Sequence, residues 1–168
     1  KQRYSVNVGA VRMYEQFVHS DPPSPQELKA MERHIDQAIA GISNGAEYTP
    51  GENDDNCPEF IALGGTATSL GAMKLKMVAY DPQKVHGLTV GADELNQMYR
   101  LLAAMPVEKR RTVSGLEPQR ADIIVCGLAI LTSVVRLIGV PSFRISEWDL
   151  LQGLLFAHAG RKLERLFD

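Results

Sequence analysis

The stretch Leu63-Gly64-Gly65-Thr66-Ala67-Thr68-Ser69-Leu70-Gly71-Ala72 constrains this chain more than any other. Phe60-Ile61-Ala62-Leu63 before it is a short apolar run that predicts a buried strand, and Leu70, Met73 and Met77 after it recur at helical spacing. Between them, two glycines allow a sharp turn and a close backbone approach, because no Cβ stands in the way. A strand that breaks at Gly-Gly and opens a helix at Thr-Ala-Thr aims free backbone N–H groups and the positive end of the helix dipole at one spot. Phosphates and nucleotides bind in such spots. Gly64, Gly65, Thr66, Ala67 and Thr68 are therefore the candidate phosphate- or nucleotide-binding residues. A Gly-rich turn that binds nothing reads the same way, since Gly-Gly-Thr is a weaker motif than a P-loop.

At 168 residues the chain fits one domain, taken as 1–168, and is long enough to bury a core. A net charge of −2 gives no global attraction to nucleic acid or membrane, so any polyanion site must be local. Cys57 and Cys126 are far apart and form no metal-type spacing; Cys126, in an apolar run, reads as a buried free thiol in a reducing cytoplasm. There is no signal peptide, and no apolar run reaches the roughly 18 residues that a bilayer span needs. The chain begins at Lys1 without an initiating Met and is read as a piece of a longer protein.

Tyr4 to Val11 alternates apolar and polar residues as a half-buried strand does, and Met13 to Val18 suits a short helical turn. Ser24-Pro25-Gln26-Glu27 carries a cap, a first-turn proline and a capping box; Leu28, Met31, Ile35, Ala38, Ile39 and Ile42 then share one face until Asn44-Gly45. Residues 47 to 58 read as a polar loop, and the spacing of Glu52, Asp54, Asp55 and Glu59 does not match a calcium-binding EF-hand loop. A helix is expected from about Ala92, with Leu95, Met98, Tyr99, Leu102 and Met105 inward. Pro106 to Thr112 suits a short basic helix whose Lys109, Arg110 and Arg111 read as a solvated face. Ala121 to Val135 is apolar almost all round and should be a helix buried on most sides, with Gly127 permitting a close contact. Ser142 to Ser146 reads as a strand, and Asp149 to Leu166 as a final helix burying Leu150, Leu151, Leu154, Leu155 and Leu163. Helix dominates, with three short strands.

Taken together these pieces resemble the exopolyphosphatase / guanosine-pentaphosphate phosphohydrolase (Ppx/GppA) family over nearly the whole chain. The resemblance is carried by Ser5-Val6-Asn7-Val8-Gly9-Ala10-Val11-Arg12, Ser20-Asp21-Pro22-Pro23 with Glu27-Leu28, and Ala62 to Thr68. It continues in Val85-His86-Gly87-Leu88, Gly115 to Ile124 with Gly127, and Gly153-Leu154-Leu155. It implies an α/β fold of the ribonuclease-H-like, actin-like ATPase type, two similar halves facing each other across a cleft, of which this chain looks like most of the second. It places Gly64 to Thr68 at the cleft. It also implies that the phosphate loops, the catalytic glutamate and the Mg²⁺ ligands lie upstream, so that no catalytic or metal-binding residue is expected here. Relatives tend to read Ser-x-x-Gly-Leu-Arg-Glu-Gly-Leu-Leu where this chain has Leu151 for the arginine and Gln152 for the glutamate.

Two further residues are possible anion contacts. Arg12 follows the first strand, and its guanidinium fork suits phosphate, although a surface arginine at a strand end reads the same. His86 before Gly87 suits an anion or a proton shuttle, although a histidine bonded to nearby backbone is the favoured reading, because buried polar groups need partners. Arg120 and Asp122 read as an internal ion pair at a helix start, and no triad of nucleophile and histidine is visible.

The function implied is a phosphoanhydride hydrolase that releases terminal phosphate from inorganic polyphosphate or guanosine pentaphosphate in the cytoplasm. This fragment would supply one wall of the cleft and be inactive alone. The altered tail motivates an alternative, a nucleotide- or alarmone-binding member without turnover, and Gly-Gly-Thr alone also admits a sugar or acid kinase of the same fold. The expected partners are the substrate and the protein's own N-terminal half. An unpaired strand at Tyr4 to Val11, left without the two strands that precede it in the family fold, is a template for pairing with a second copy, hence a homodimer.

Overall fold

A computed structural model describes residues 4–43 and 60–164. In chain order the elements are α1 (Ala10–Phe17), α2 (Pro25–Ser43), β1 (Ile61–Leu63), α3 (Gly65–Lys74), α4 (Pro82–Val85), β2 (Thr89–Gly91) and α5 (Ala92–Ala103). There follow α6 (Val107–Arg110), a 3₁₀ turn (Pro118–Arg120), α7 (Ile124–Ile138), β3 (Ser142–Ser146) and α8 (Leu150–Glu164). The acidic loop read over 47 to 58, with Cys57, and the helix stop at Asn44-Gly45 lie outside the described residues.

An apolar helix must be covered all round, and α7 organises the rest for that reason. Ile124 to Ala129 are six consecutive buried residues, and α1, α2, α3 and α5 all pack on this helix. Cys126 is a buried free thiol, and burial raises it to a pKa of about 12. A Cβ at Gly127 would lie 2.3 Å from the Thr66 hydroxyl oxygen, so glycine is what lets α3 approach α7. Polar ties hold the outer helices in register: Tyr99 donates to Glu32 at 2.8 Å, and Arg136 on α7 meets Asp36 on α2 at 2.6 Å. The entry to α2 has the expected reciprocal cap, with Ser24 N–H donating to Glu27 at 2.6 Å and Glu27 N–H to the Ser24 hydroxyl at 3.3 Å.

The sheet has the order β1-β3-β2. β3 is central, parallel to β1 with Leu63 opposite Ser146, and antiparallel to β2 with Val90 opposite Phe143. Phe143 and Ile145 alternate inward between exposed Ser142 and Arg144, as a strand with one packed face requires. β2 was not expected, because three residues are too short for alternation to register.

Four expectations are corrected. Tyr4 to Val11 is not a strand: residues 4–9 carry none, and α1 starts at Ala10. Ala10, Met13, Tyr14 and Phe17 form an i, i+3, i+4, i+7 stripe that packs into the core, and this helical period overrides the shorter alternation. Arg110 is not a solvated residue but only 2% exposed. It donates to the carbonyls of Met105 at 3.0 Å and Ala121 at 2.8 Å and pairs with Asp21 at 3.1 Å. Asp21 also accepts the Val107 N–H at 2.9 Å, so one carboxylate ties the loop after α1 to α6. Four of the α8 leucines expected to be buried are not, and the side chain of Leu163 lies outside those described. Leu150, Leu151, Leu154 and Leu155 are 61–84% exposed, because no described element faces them. Finally, Arg120 does not pair with Asp122 but with Glu117, at 2.9 Å.

Candidate functional site

β1 and β3 run parallel and end side by side, so the residues that follow them emerge at one edge of the sheet. After Leu63 the chain turns at Gly64 with φ +93° and ψ 170°, a conformation open to glycine and strained for other residues. α3 begins at once, at Gly65. Among the described residues no side chain caps it and no acidic residue lies in its first turn, which leaves its leading N–H groups without a side-chain partner. The Thr68 hydroxyl donates to the Gly65 carbonyl at 3.3 Å and closes the turn from inside.

A cation stands at this positive helix end. An ideal Cβ on Gly65 would lie 1.9 Å from one terminal nitrogen of the Arg120 guanidinium, which therefore rests directly against the glycine. A guanidinium at a helix N-terminus is electrostatically unfavourable unless anions answer both charges. Glu117 answers part of it by accepting from Arg120 Nε at 2.9 Å. The 3₁₀ turn that carries Arg120 is fixed from behind by buried Arg110, which donates to the Ala121 and Asp122 carbonyls.

The strand end next door contributes Glu147 and Trp148. Tyr80 donates its hydroxyl to Glu147 and lies close enough to Thr68 to feel its hydroxyl, linking the turn to the end of β3. Burial first, then Glu147, pushes the Tyr80 phenol up to about 12, so it stays a donor. His86 takes up the backbone-bonded option: Glu147 N–H donates to its Nδ1 at 3.2 Å, and its ring stacks on Trp148 at 5.3 Å between centroids. Arg12 is exposed and donates to Asn7 in its own segment. Nearby Val8, Gly9 and Ala10 share a cavity of about 340 Å³ with Leu63, Thr66 and Ala67.

The geometry thus brings Gly64 to Thr68 together with Arg120, Glu117, Tyr80 and Glu147, none of which the sequence reading named as site residues. Glu147 carried a usable signal, since it directly follows a correctly read strand. That this strand lies parallel to β1, and so brings Glu147 to Gly64, has no sequence signature. Among the described residues no group of three or more His, Cys, Asp or Glu could hold a metal ion. None of their helices is long and apolar enough to cross a membrane.

A model of the Ppx/GppA phosphatase family matches residues 1–162. The chain belongs to this family. The chain is 28% identical over 161 residues to exopolyphosphatase 2 of Mycobacterium tuberculosis, covering 94% of this chain and 49% of that protein. A Fusobacterium nucleatum bifunctional 3-dehydroquinate synthase/phosphatase is 24% identical, over 92% of this chain and 22% of the relative. The Aquifex aeolicus Ppx/GppA phosphatase (type II variant) superposes with a TM-score of 0.82 at 25% identity, over 94% of this chain and 49% of that structure. A second Aquifex aeolicus structure of the Ppx/GppA family reaches 0.84 at 24% identity, over 96% and 50%. The fold is accordingly the actin-like, ribonuclease-H-like one, helix-rich with a three-stranded mixed sheet. This Ppx/GppA chain spans about half the length of the exopolyphosphatase and the solved structures that it matches.

Proposed function

We propose that this chain is one wall of the substrate cleft in a phosphoanhydride hydrolase, which removes terminal phosphate from inorganic polyphosphate or guanosine pentaphosphate. The observation that carries the reading is the Gly64–Gly65 turn. An uncapped ten-residue helix and a guanidinium converge there, at the carboxyl ends of two parallel strands, in a chain of a phosphatase family. The N–H groups of Gly65 to Ala67 would hold phosphate or nucleotide oxygens, and Arg120 would neutralise them.

The facing wall is proposed to be the protein's own N-terminal half. Two features support it: the exposed leucine stripe of α8 and the outer edge of β1, which no described strand pairs. A second copy of the chain is the other proposed occupant of these surfaces. Mg²⁺ would neutralise the substrate phosphates in the complete protein; among the described residues no group of three or more His, Cys, Asp or Glu could hold it. A cytoplasmic setting is in keeping with the free thiol of Cys126.

The reading without turnover rests on Leu151 and Gln152. Gln152 accepts the Asp149 N–H at 3.0 Å while Asp149 accepts the Leu151 N–H at 2.7 Å, a helix cap that glutamine serves as well as glutamate. The test is phosphate release from polyphosphate and guanosine pentaphosphate, with Mg²⁺, by the chain alone and by the chain joined to its N-terminal half. Release by the joined protein and none by the chain is expected. A joined, folded protein inert on both substrates would overturn the reading.

A further inference from the structure

Glu147 is the first residue beyond β3, as Gly64 is the first beyond β1, and Leu63 lies opposite Ser146. A carboxylate therefore stands beside the turn proposed to meet phosphate. This is a poor arrangement for a site devoted to a polyanion, since like charges at close range repel and work against binding. The side chain is held from one side. Tyr80 donates to Oε1, and His86 accepts the main-chain N–H. Oε2 makes no hydrogen bond or ion pair among the described residues. Across the turn, Glu117 already takes Arg120 Nε, which reduces the positive charge left for phosphate.

The ligand that suits this wall has hydrogen-bond donors as well as phosphates. Inorganic polyphosphate presents acceptors along its whole length at neutral pH. A nucleoside presents hydroxyl and N–H donors, and a donor bound to an ionised acceptor forms one of the stronger hydrogen bonds. We propose that Glu147 is a specificity residue of this cleft: its free Oε2 accepts from a nucleoside hydroxyl or base N–H, so the wall favours nucleoside polyphosphates over inorganic polyphosphate. The inference rests on the reading above, in which phosphates meet the Gly64–Gly65 turn.

Glu147→Gln separates the two claims. Tyr80 keeps the amide oxygen as its acceptor, which turns the NH₂ toward the ligand and puts a donor where an acceptor stood. The chain is titrated with GTP and, separately, with tripolyphosphate, following the backbone amides of Gly64 to Thr68 and Trp148 fluorescence. For the unaltered chain, GTP is expected to bind at least about tenfold more tightly than tripolyphosphate. Glu147→Gln is expected to weaken GTP about tenfold and tighten tripolyphosphate a few-fold, with the amides of Gly64 to Thr68 still responding to both. Equal affinity for the two ligands, or a ratio unchanged by Glu147→Gln while the turn amides respond, overturns the assignment and leaves the phosphate reading standing. Turn amides indifferent to both ligands overturn both.

Discussion

α7 and α8 are both fifteen-residue helices rich in leucine, isoleucine or valine, and they end in opposite environments. α7 is enclosed by four helices, whereas α8 carries Leu150, Leu151, Leu154 and Leu155 to solvent. The difference is not one of composition. α7 offers apolar residues in every direction and small ones, Gly127 and Ala129, where neighbours must come close. α8 offers one stripe, Leu150, Leu151, Leu154 and Leu155, and a stripe stabilises a fold only where a complementary surface meets it. The lesson is that α7 contributes its apolar residues to the stability of this chain, whereas the four exposed leucines of α8 contribute little to it.

The contrast can be broken most directly by the same truncation in each helix. Leu128→Ala in α7 is expected to cost about 3 kcal/mol in urea unfolding, whereas Leu154→Ala should change the isolated chain by less than about 0.5 kcal/mol. Equal losses would mean that α8 packs on the body after all. Arg110→Met comes next. It keeps most of the buried volume but leaves the Met105 and Ala121 carbonyls unanswered and Asp21 with the Val107 N–H alone, at about 2 kcal/mol. Because Arg110 fixes the turn carrying Arg120, the amides of Gly64 to Thr68 should shift in the same variant. Joining the N-terminal half should then slow hydrogen exchange in α8 and leave α7 as it was. No added protection in α8 would remove that half as its partner.

The smallest effect lies at the rim. Glu27 is held down to about 2, chiefly by the Ser20 hydroxyl and then by Ser24. A carboxylate depressed in the fold adds stability above its ordinary value of 4.5, and that contribution fades as pH falls from there through about 2. Glu27→Gln should flatten the acid limb between those values by lowering stability slightly at neutral pH, and leave stability below about pH 2 almost untouched. An unchanged acid limb would discard the capping account.

What could be read in the sequence was whatever is written locally. The cap at Ser24–Glu27, the all-round apolarity of α7, the alternation of β3 and the turn at Gly64–Gly65 each depend on neighbours a few residues apart. What escaped depends on distant pairing. Arg110 reads as one charge in a basic run until Asp21 and the Ala121 carbonyl close around it. Arg120 reads as a partner for Asp122 until the fold lays it on Gly65. Tyr80 and Glu147, 67 residues apart, have no shared signature at all. The N-terminal alternation misled because its last residues, Ala10 and Val11, already belong to α1, whose apolar stripe packs on α7 and α2.

The central claim is that the Gly64–Gly65 turn is a binding surface and not merely a bend. Gly65→Val tests it in the protein that contains both halves, with phosphate release and urea unfolding measured on the same sample. The new side chain would occupy the space of the Arg120 guanidinium and close the approach to the α3 N-terminus. Phosphate release is expected to fall at least about 100-fold, while stability changes by less than about 1 kcal/mol, because the guanidinium is the free end of a partly exposed side chain. A variant that folds normally and retains full activity would contradict the claim.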